Sequence, residues 1–320
     1  MMERRARLYV ALQALMIFAV WLSVLGIDRA CAVVGANWRV SLTMAFASLF
    51  AGATGEGGGA IAFPVFTKIL GIPATQARVF ALAIQSIGMT AASLALIYGR
   101  VRIEWRAVAW AGLGGVAGMV AAAALLAPLV PPPVVRVTFT MSQVALGLVL
   151  VAQWRRGESK AERLPPGGWE QRAVLVAAGL VGGVASALIG TGLSIIGFSV
   201  LVVYFRLSEK AAIVTGVVLM ALDSLAGFAT YAALGAFDAT IRAYWLAALP
   251  VAALSAPLGA VLGSMLARRT IVCLVLTLIA VEFVTTVALV PMDAAAMAYA
   301  ATVFVASLLA YAGLARAGRA

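Results

Sequence analysis

Few residues in this chain have chemistry to offer, and they stand in unusual places. Gly52-Ala53-Thr54-Gly55-Glu56-Gly57-Gly58-Gly59 puts five glycines in eight residues, with Pro64 five positions on, inside an apolar region running from Val40 to Leu70. Such a run does not hold a helix, since each glycine costs about 1 kcal/mol relative to alanine. A break in a lipid-embedded helix leaves N–H and C=O groups unpaired, which is tolerated only where protein or a water-filled cavity surrounds it. The stretch therefore reads as an interrupted membrane helix whose open backbone faces a site. Thr54, Gly55, Glu56, Gly57, Gly58 and Gly59 are its candidate ligand-binding residues. A half-helix restarting near Gly59 would aim free N–H groups and a positive dipole end at an anion. Gly190, Thr191, Gly192 and Ser194 form a second, weaker copy inside the apolar region from Ala173 to Phe205.

The carboxylates narrow the chemistry further. Of the 12 acids, only Glu56, Asp223 and Glu282 lie well inside apolar segments. An acid at bilayer depth costs roughly 2.5–3.5 kcal/mol on insertion scales and is by default a functional hypothesis. All three are candidates for proton coupling, against the bland alternative of an acid hydrogen-bonded between helices. Gln85, three residues before Gly88, is a further candidate for the cavity lining.

Other chemistries lose their residues. The chain has no histidine, so the commonest general base and metal ligand are absent. Cys31 and Cys273 form neither a metal nor a redox spacing. Gly55-x-Gly57-x-x-Ala60 matches a short dinucleotide fingerprint but lacks the preceding strand and the later acid, and Gly190-Thr191-Gly192-Leu193-Ser194 lacks the lysine of a P-loop. No metal and no cofactor is expected.

The elements that must position these residues are membrane helices. Of the 320 residues 64% are hydrophobic and only 11% are charged, and mean hydropathy is +1.07. A soluble domain carries about 25% charged residues. The net charge of +11 invites a nucleic-acid reading, but the 23 lysines and arginines lie in short loops between apolar runs, where they set orientation in a bilayer. No nucleic-acid partner is expected; membrane lipid and a small anionic substrate are, and a homodimer is left open.

Spans are expected over 8–27, 75–98, 107–129, 134–154, 211–234, 244–266, 271–290 and 294–314, each close to the 20 or so apolar residues a crossing needs. The first reads as a retained helix and not a cleaved leader, whose apolar core would be shorter. The hydrophilic stretch 155–172 divides two similar halves, 40–154 and 173–290, within one membrane domain covering 1–320. Adding 135 aligns them without gaps for about 35 residues: Gly55-Glu56-Gly57 falls on Gly190-Thr191-Gly192, and Gly88 falls on Asp223.

Charge orients the halves. If both broken elements return to the side they entered, 17 of the 23 basic residues fall inside and 6 outside; if both cross, the split is 12 to 11. The positive-inside rule favours the first arrangement. The expected fold is an all-α polytopic membrane protein of two inverted repeats. Each is a re-entrant hairpin followed by three helices, with an extra helix at each end. Both termini are expected in the cytoplasm, and the two glycine turns are expected to meet near the midplane. Inverted repeats with broken helices at the midplane are a pattern of secondary transporters. A membrane-embedded enzyme or assembly factor using the central carboxylates is the alternative.

Gly55-Glu56-Gly57-Gly58-Gly59 with Pro64, the corners Gly99-Arg100-Val101 and Gly235-Ala236-Phe237-Asp238, and the weaker second copy resemble the TauE/SafE family of anion transporters over about 40–290. The resemblance implies transport of sulfite or an organosulfonate across the bacterial cytoplasmic (inner) membrane. Residues alone argue only for a small anion. One departure is Glu56, which stands where the family pattern is usually apolar. An ionised glutamate beside an anion repels it, so Glu56 must take up a proton, turn away, or serve a different substrate.

Overall fold

The computed structural model describes residues 2–55, 62, 65–155, 161–165, 167–290 and 293–318. The described residues are helical almost throughout, in twelve α-helices and two π-helical segments. Helices α1 (Met2–Leu25), α2 (Ile27–Ala36) and α3 (Trp38–Thr54) come first, followed by a π segment at Val65–Ile69. Then come α4 (Ala74–Tyr98), α5 (Trp105–Leu125) and α6 (Pro132–Arg155). The second half holds α7 (Trp169–Ile189), α8 (Leu193–Ser199), a π segment at Val200–Tyr204, α9 (Glu209–Ala233), α10 (Ala239–Met265), α11 (Arg268–Leu289) and α12 (Ala294–Ala317).

Local chemistry explains the ends. Gly55 and Gly190 close α3 and α7 in the left-handed region at φ 67° and 90°, where a side chain is strained and glycine is not. Asp238 and Asp293 accept from the Ile241 and Ala296 amides and so cap α10 and α12, a local role that explains two acids outside the spans. Nine helices are long and apolar enough to cross a bilayer among the described residues, one more than the eight simple spans expected. The ninth is α7. Gly190 breaks the chain only after 21 helical residues, about 31 Å at 1.5 Å per residue, so the entering arm of the second hairpin is itself as long as a crossing. A second difference is α2, which meets α3 at 82° across Asn37. That helix falls between the expected first span, 8–27, and the apolar region that begins at Val40.

Burial separates centre from periphery. In α4 and α9, 72% and 78% of the apolar window is buried, against 17% in α1 and 6% in α12. α4 and α9 therefore form the middle of the bundle and α1 and α12 its lipid-facing rim. The two halves repeat in their element bounds: adding 135 to Ala74–Tyr98 gives Glu209–Ala233, and adding 135 to Val65–Ile69 gives Val200–Tyr204. They are also interleaved, because α3 of the first half packs on α10 of the second and α7 of the second packs on α5 of the first.

Small residues make those seams. A Cβ on Gly52 would lie 2.8 Å from the Ala260 nitrogen, and one on Gly259 3.1 Å from the Ala53 nitrogen. In the other seam a Cβ on Gly183 would lie 2.7 Å from the Met119 nitrogen, and one on Gly114 2.9 Å from the Leu180 nitrogen. Backbone meets backbone at both crossings, as small-xxx-small pairs allow in lipid.

Candidate functional site

The site is built from the two helix-ending glycines outward. A Cβ on Gly55 would lie 2.8 Å from the Ile213 carbonyl on α9, and one on Gly190 would lie 3.2 Å from the Arg78 carbonyl on α4. The pairs exchange under the offset of 135, since Gly55 maps to Gly190 and Arg78 to Ile213. Reciprocal contact of this kind is what a two-fold relation between halves produces. Each turn thus lies beside the second turn of the opposite half's central helix. On α9, Gly216 faces the end of α3 and the start of α8: a Cβ there would stand 3.8 Å from the Gly55 carbonyl, 3.8 Å from the Ser194 carbonyl and 3.9 Å from the Ser194 Cβ.

Of the residues singled out in sequence, Thr54, Gly55, Gly190, Thr191, Gly192 and Ser194 are brought to these turns. Thr54 is buried and donates to the Phe50 carbonyl at 2.8 Å. Thr191 and Ser194 are buried, and the Ser194 hydroxyl has no hydrogen-bond partner among the described residues. At Gly192 a Cβ would come within 2.7 Å of the Ser186 nitrogen, so only glycine lets the chain turn this tightly against α7. Glu56, Gly57, Gly58 and Gly59 lie outside the described residues.

Asp223 sits in the middle of α9, 2% exposed. Ser186, on the last full turn of α7, is the polar side chain beside its carboxyl. The Asp223 carboxyl oxygen Oδ1 has no partner among the described residues. The Ser186 hydroxyl accepts the first amide of α8, Leu193 N, at 2.8 Å, and the Ser186 carbonyl accepts from Gly190 N at 2.7 Å. One serine therefore fastens the end of α7 to the start of α8, beside the central carboxyl. Sequence reasoning missed it, because a lone serine in an Ala-Ser-Ala run carries no signal without its contacts.

The first half lacks this device. The counterparts of Ser186 and Asp223 are Ala51 and Gly88, and both line a cavity of about 10 Å³ with Gln85, Ser48 and Met44. Gln85 is buried there, and its Oε1 has no partner among the described residues. Gln85 is thus placed beside Gly88, but Asp223 is not among the residues lining that cavity.

Glu282 is placed elsewhere. It lies between α6 and α11, where Oε1 accepts from Thr140 at 3.3 Å and Thr286 at 3.4 Å and stands 3.7 Å from Arg136 Nε. Arg136 Nε also donates to the Thr286 hydroxyl at 3.2 Å. An ion pair between two helices serves helix association first, and none of its partners belongs to either hairpin. Removing one member of a buried pair costs about 3–5 kcal/mol, whereas replacing both by apolar residues is often neutral. Glu282→Leu alone should therefore lower the unfolding midpoint in detergent markedly, and Arg136→Met with Glu282→Leu should recover most of the loss. Equal damage from the single and double variants would show that the pair is not what holds α6 to α11.

The charge missed most consequentially is Arg78, assigned in sequence only an orienting role. It projects from the second turn of α4 onto the end of α7, where Nη1 reaches the Leu188 carbonyl at 3.4 Å and the guanidinium lies 5.2 Å over the Tyr231 ring. Tyr231 donates to the neighbouring Ala187 carbonyl at 2.6 Å. Among the described residues no group of three His, Cys, Asp or Glu side chains gathers to hold a metal ion. What the hairpin turns offer is hydroxyls, open backbone and one cation, with one carboxyl one helical turn away: groups suited to an anion and a proton.

Comparison with known proteins agrees. No curated protein and no solved structure matches the chain. A family model described as sulfite exporter TauE/SafE matches residues 40–285, which takes in most of α3, all of α4 to α10 and both glycine breaks. With that span of the chain covered, this multi-pass membrane protein belongs to the sulfite exporter TauE/SafE family.

Proposed function

We propose that this protein is a secondary transporter that moves a small sulfur oxyanion, sulfite or an organosulfonate, across the cytoplasmic membrane, with proton movement through Asp223. The observation that carries the reading is the approach of both hairpins to Gly216, with the Gly55 carbonyl on one side and Ser194 on the other. Broken helices converging from two repeats supply the open backbone on which transporters of this general design hold small ions. Family membership supports the substrate class. The repeats are inverted in this reading, and both termini face the cytoplasm, in line with the 17-to-6 distribution of basic residues.

Asp223, buried beside Ser186 in the middle of α9, takes up and releases the proton. A carboxyl that alternates between charged and neutral forms changes the strength of its hydrogen bond to Ser186, because bonds to ionised acceptors are roughly twice as strong as neutral ones. Loss of that charge is thereby felt at the Gly190–Gly192 turn.

Thermal unfolding of the purified protein against a series of anions tests the substrate class. A ligand at 100 times its Kd stabilises the folded state by about 2.7 kcal/mol. Sulfite and sulfoacetate should raise the midpoint, and acetate at equal ionic strength should not. No response to any sulfur oxyanion, or an equal response to acetate, would count against the reading.

A further inference from the structure

Three described cations are not exposed: Arg78, Arg136 and Arg206. Arg136 is paired with Glu282, and Arg206 stands in the connection after the second hairpin, where its carbonyl accepts from Ala161 N. Arg78 differs from both. It is half-buried beside the Gly190 turn, no carboxylate pairs with it among the described residues, and its Nε is buried without a hydrogen-bond partner among them. Charge held away from water without a counter-charge is costly. The Tyr231 face and the Leu188 carbonyl offset part of that cost.

An arginine that only closed a helix end would need no more than its bond to Leu188. Here Nη1 makes that bond, and the opposite edge of the guanidinium, Nε with Nη2, has no partner among the described residues. That edge is a two-donor fork matched to two oxygens of one anion. Arg268 shows the same edge in use, holding Glu209 Oε2 from Nε at 2.8 Å and Oε1 from Nη2 at 3.1 Å. Gly190 packs directly on the Arg78 backbone, and four residues later the buried Ser194 hydroxyl has no partner among the described residues.

We propose that Arg78 is the anion-binding cation of this protein, gripping two oxygens of a sulfite or sulfonate group through Nε and Nη2 while Nη1 stays on the end of α7. The proposal rests on the transporter reading above and names the charge that reading requires. It also makes the two halves unequal, because the counterpart of Arg78 is Ile213, buried against Gly55. The anion is held from the side of the second hairpin only.

Binding of radiolabelled sulfite to the full-length purified protein tests this, in wild type, Arg78→Gln, Arg78→Lys and Arg106→Gln. Arg106 is an exposed arginine that also holds backbone carbonyls, those of Pro165 and Gly167, and it controls for loss of such bonds in general. Affinity should fall at least tenfold in Arg78→Gln, fall by an intermediate factor in Arg78→Lys, which keeps the charge but not the fork, and stay unchanged in Arg106→Gln. Wild-type affinity in Arg78→Gln overturns the proposal and leaves the transporter reading standing. If Arg78→Gln does not fold, Arg78→Lys decides, and wild-type affinity there overturns it. Absence of binding in the wild type of both radiolabelled sulfite and radiolabelled sulfoacetate removes the transporter reading and this proposal together.

Discussion

Valine at position 183 should leave almost no folded protein. A Cβ on Gly183 would overlap the Gly115 carbonyl and stand 2.7 Å from the Met119 nitrogen, so both obstacles are backbone and neither can rotate aside. Gly114, Gly118 and Gly179 meet the facing backbone in the same seam, which leaves α5 and α7 no room to slide. Overpacking a core by a methylene or more costs typically 1–3 kcal/mol, and a branched side chain against a backbone carbonyl belongs at or above about 3 kcal/mol by the same measure. The effect should be larger than for any hairpin variant, because this seam fixes where α7 ends and hence where the Gly190 turn lies. Yield of monodisperse protein in detergent measures it, with Gly313→Ala as control. Nothing lies within 4 Å of a Cβ on Gly313, and alanine there improves helix propensity. A well-folded Gly183→Val protein would mean that α5 and α7 are not in backbone contact.

Asp223→Asn should separate exchange from proton-driven accumulation. Asparagine keeps the shape and can still accept from Ser186, but it cannot lose a proton. Counterflow, which needs no net proton movement, should persist within a few-fold, while accumulation driven by a pH gradient should fall at least tenfold, about 1.4 kcal/mol in coupling. No ion pair reaches Asp223 among the described residues. Of the charged groups on the helices packed against α9, Arg78 lies on the end of α7, Arg106 on the linker carbonyls, Arg172 over Trp110, Glu282 on Arg136 and Arg268 on Glu209 at the start of α9, while Arg39, Glu170, Arg242 and Arg269 are exposed. Ser186 is the polar group in contact with Asp223 among the described residues. pH-dependent accumulation in Asp223→Asn equal to wild type would assign this carboxyl a structural role only. Ser186→Ala should reproduce part of the loss, since it keeps the carboxyl but removes its link to Leu193.

Much of this was legible in the sequence. Glycine clusters inside apolar runs mark helix breaks because backbone entropy and lipid both act against them, and Gly55 and Gly190 are indeed where α3 and α7 stop. The offset of 135 anticipated the matching bounds of α4 and α9 because a repeat preserves register. Length was not legible at α7, where the apolar region 173–205 is expected only as a re-entrant hairpin, with no arm lengths set. A 21-residue helix followed by a 12-residue return uses the same length unequally. Helix-face information was lost too. Gly114-x-x-x-Gly118, Gly179-x-x-x-Gly183 and Gly259-x-x-x-Gly263 carry the small-xxx-small signal that would have predicted the α5–α7 and α3–α10 seams. Contacts between halves were not legible at all. Arg78 reads as one more loop-proximal cation until α7 is seen to end on it, and nothing in the sequence near Glu282 points to its partner Arg136, 146 positions earlier.

The central claim is that a sulfur oxyanion passes where the two hairpins converge on Gly216. Counterflow of radiolabelled sulfite into proteoliposomes, run side by side for wild type, Gly216→Ala and Gly216→Leu, tests it directly. A methyl group at 216 would rest in ordinary contact at 3.8 Å from both the Gly55 and Ser194 carbonyls, whereas a leucine must project between them. The account predicts sulfite counterflow in wild type, near-wild-type counterflow in Gly216→Ala, and a loss of at least tenfold in Gly216→Leu protein that remains monodisperse. Equal counterflow in wild type and Gly216→Leu, or none above empty liposomes in wild type, would contradict it.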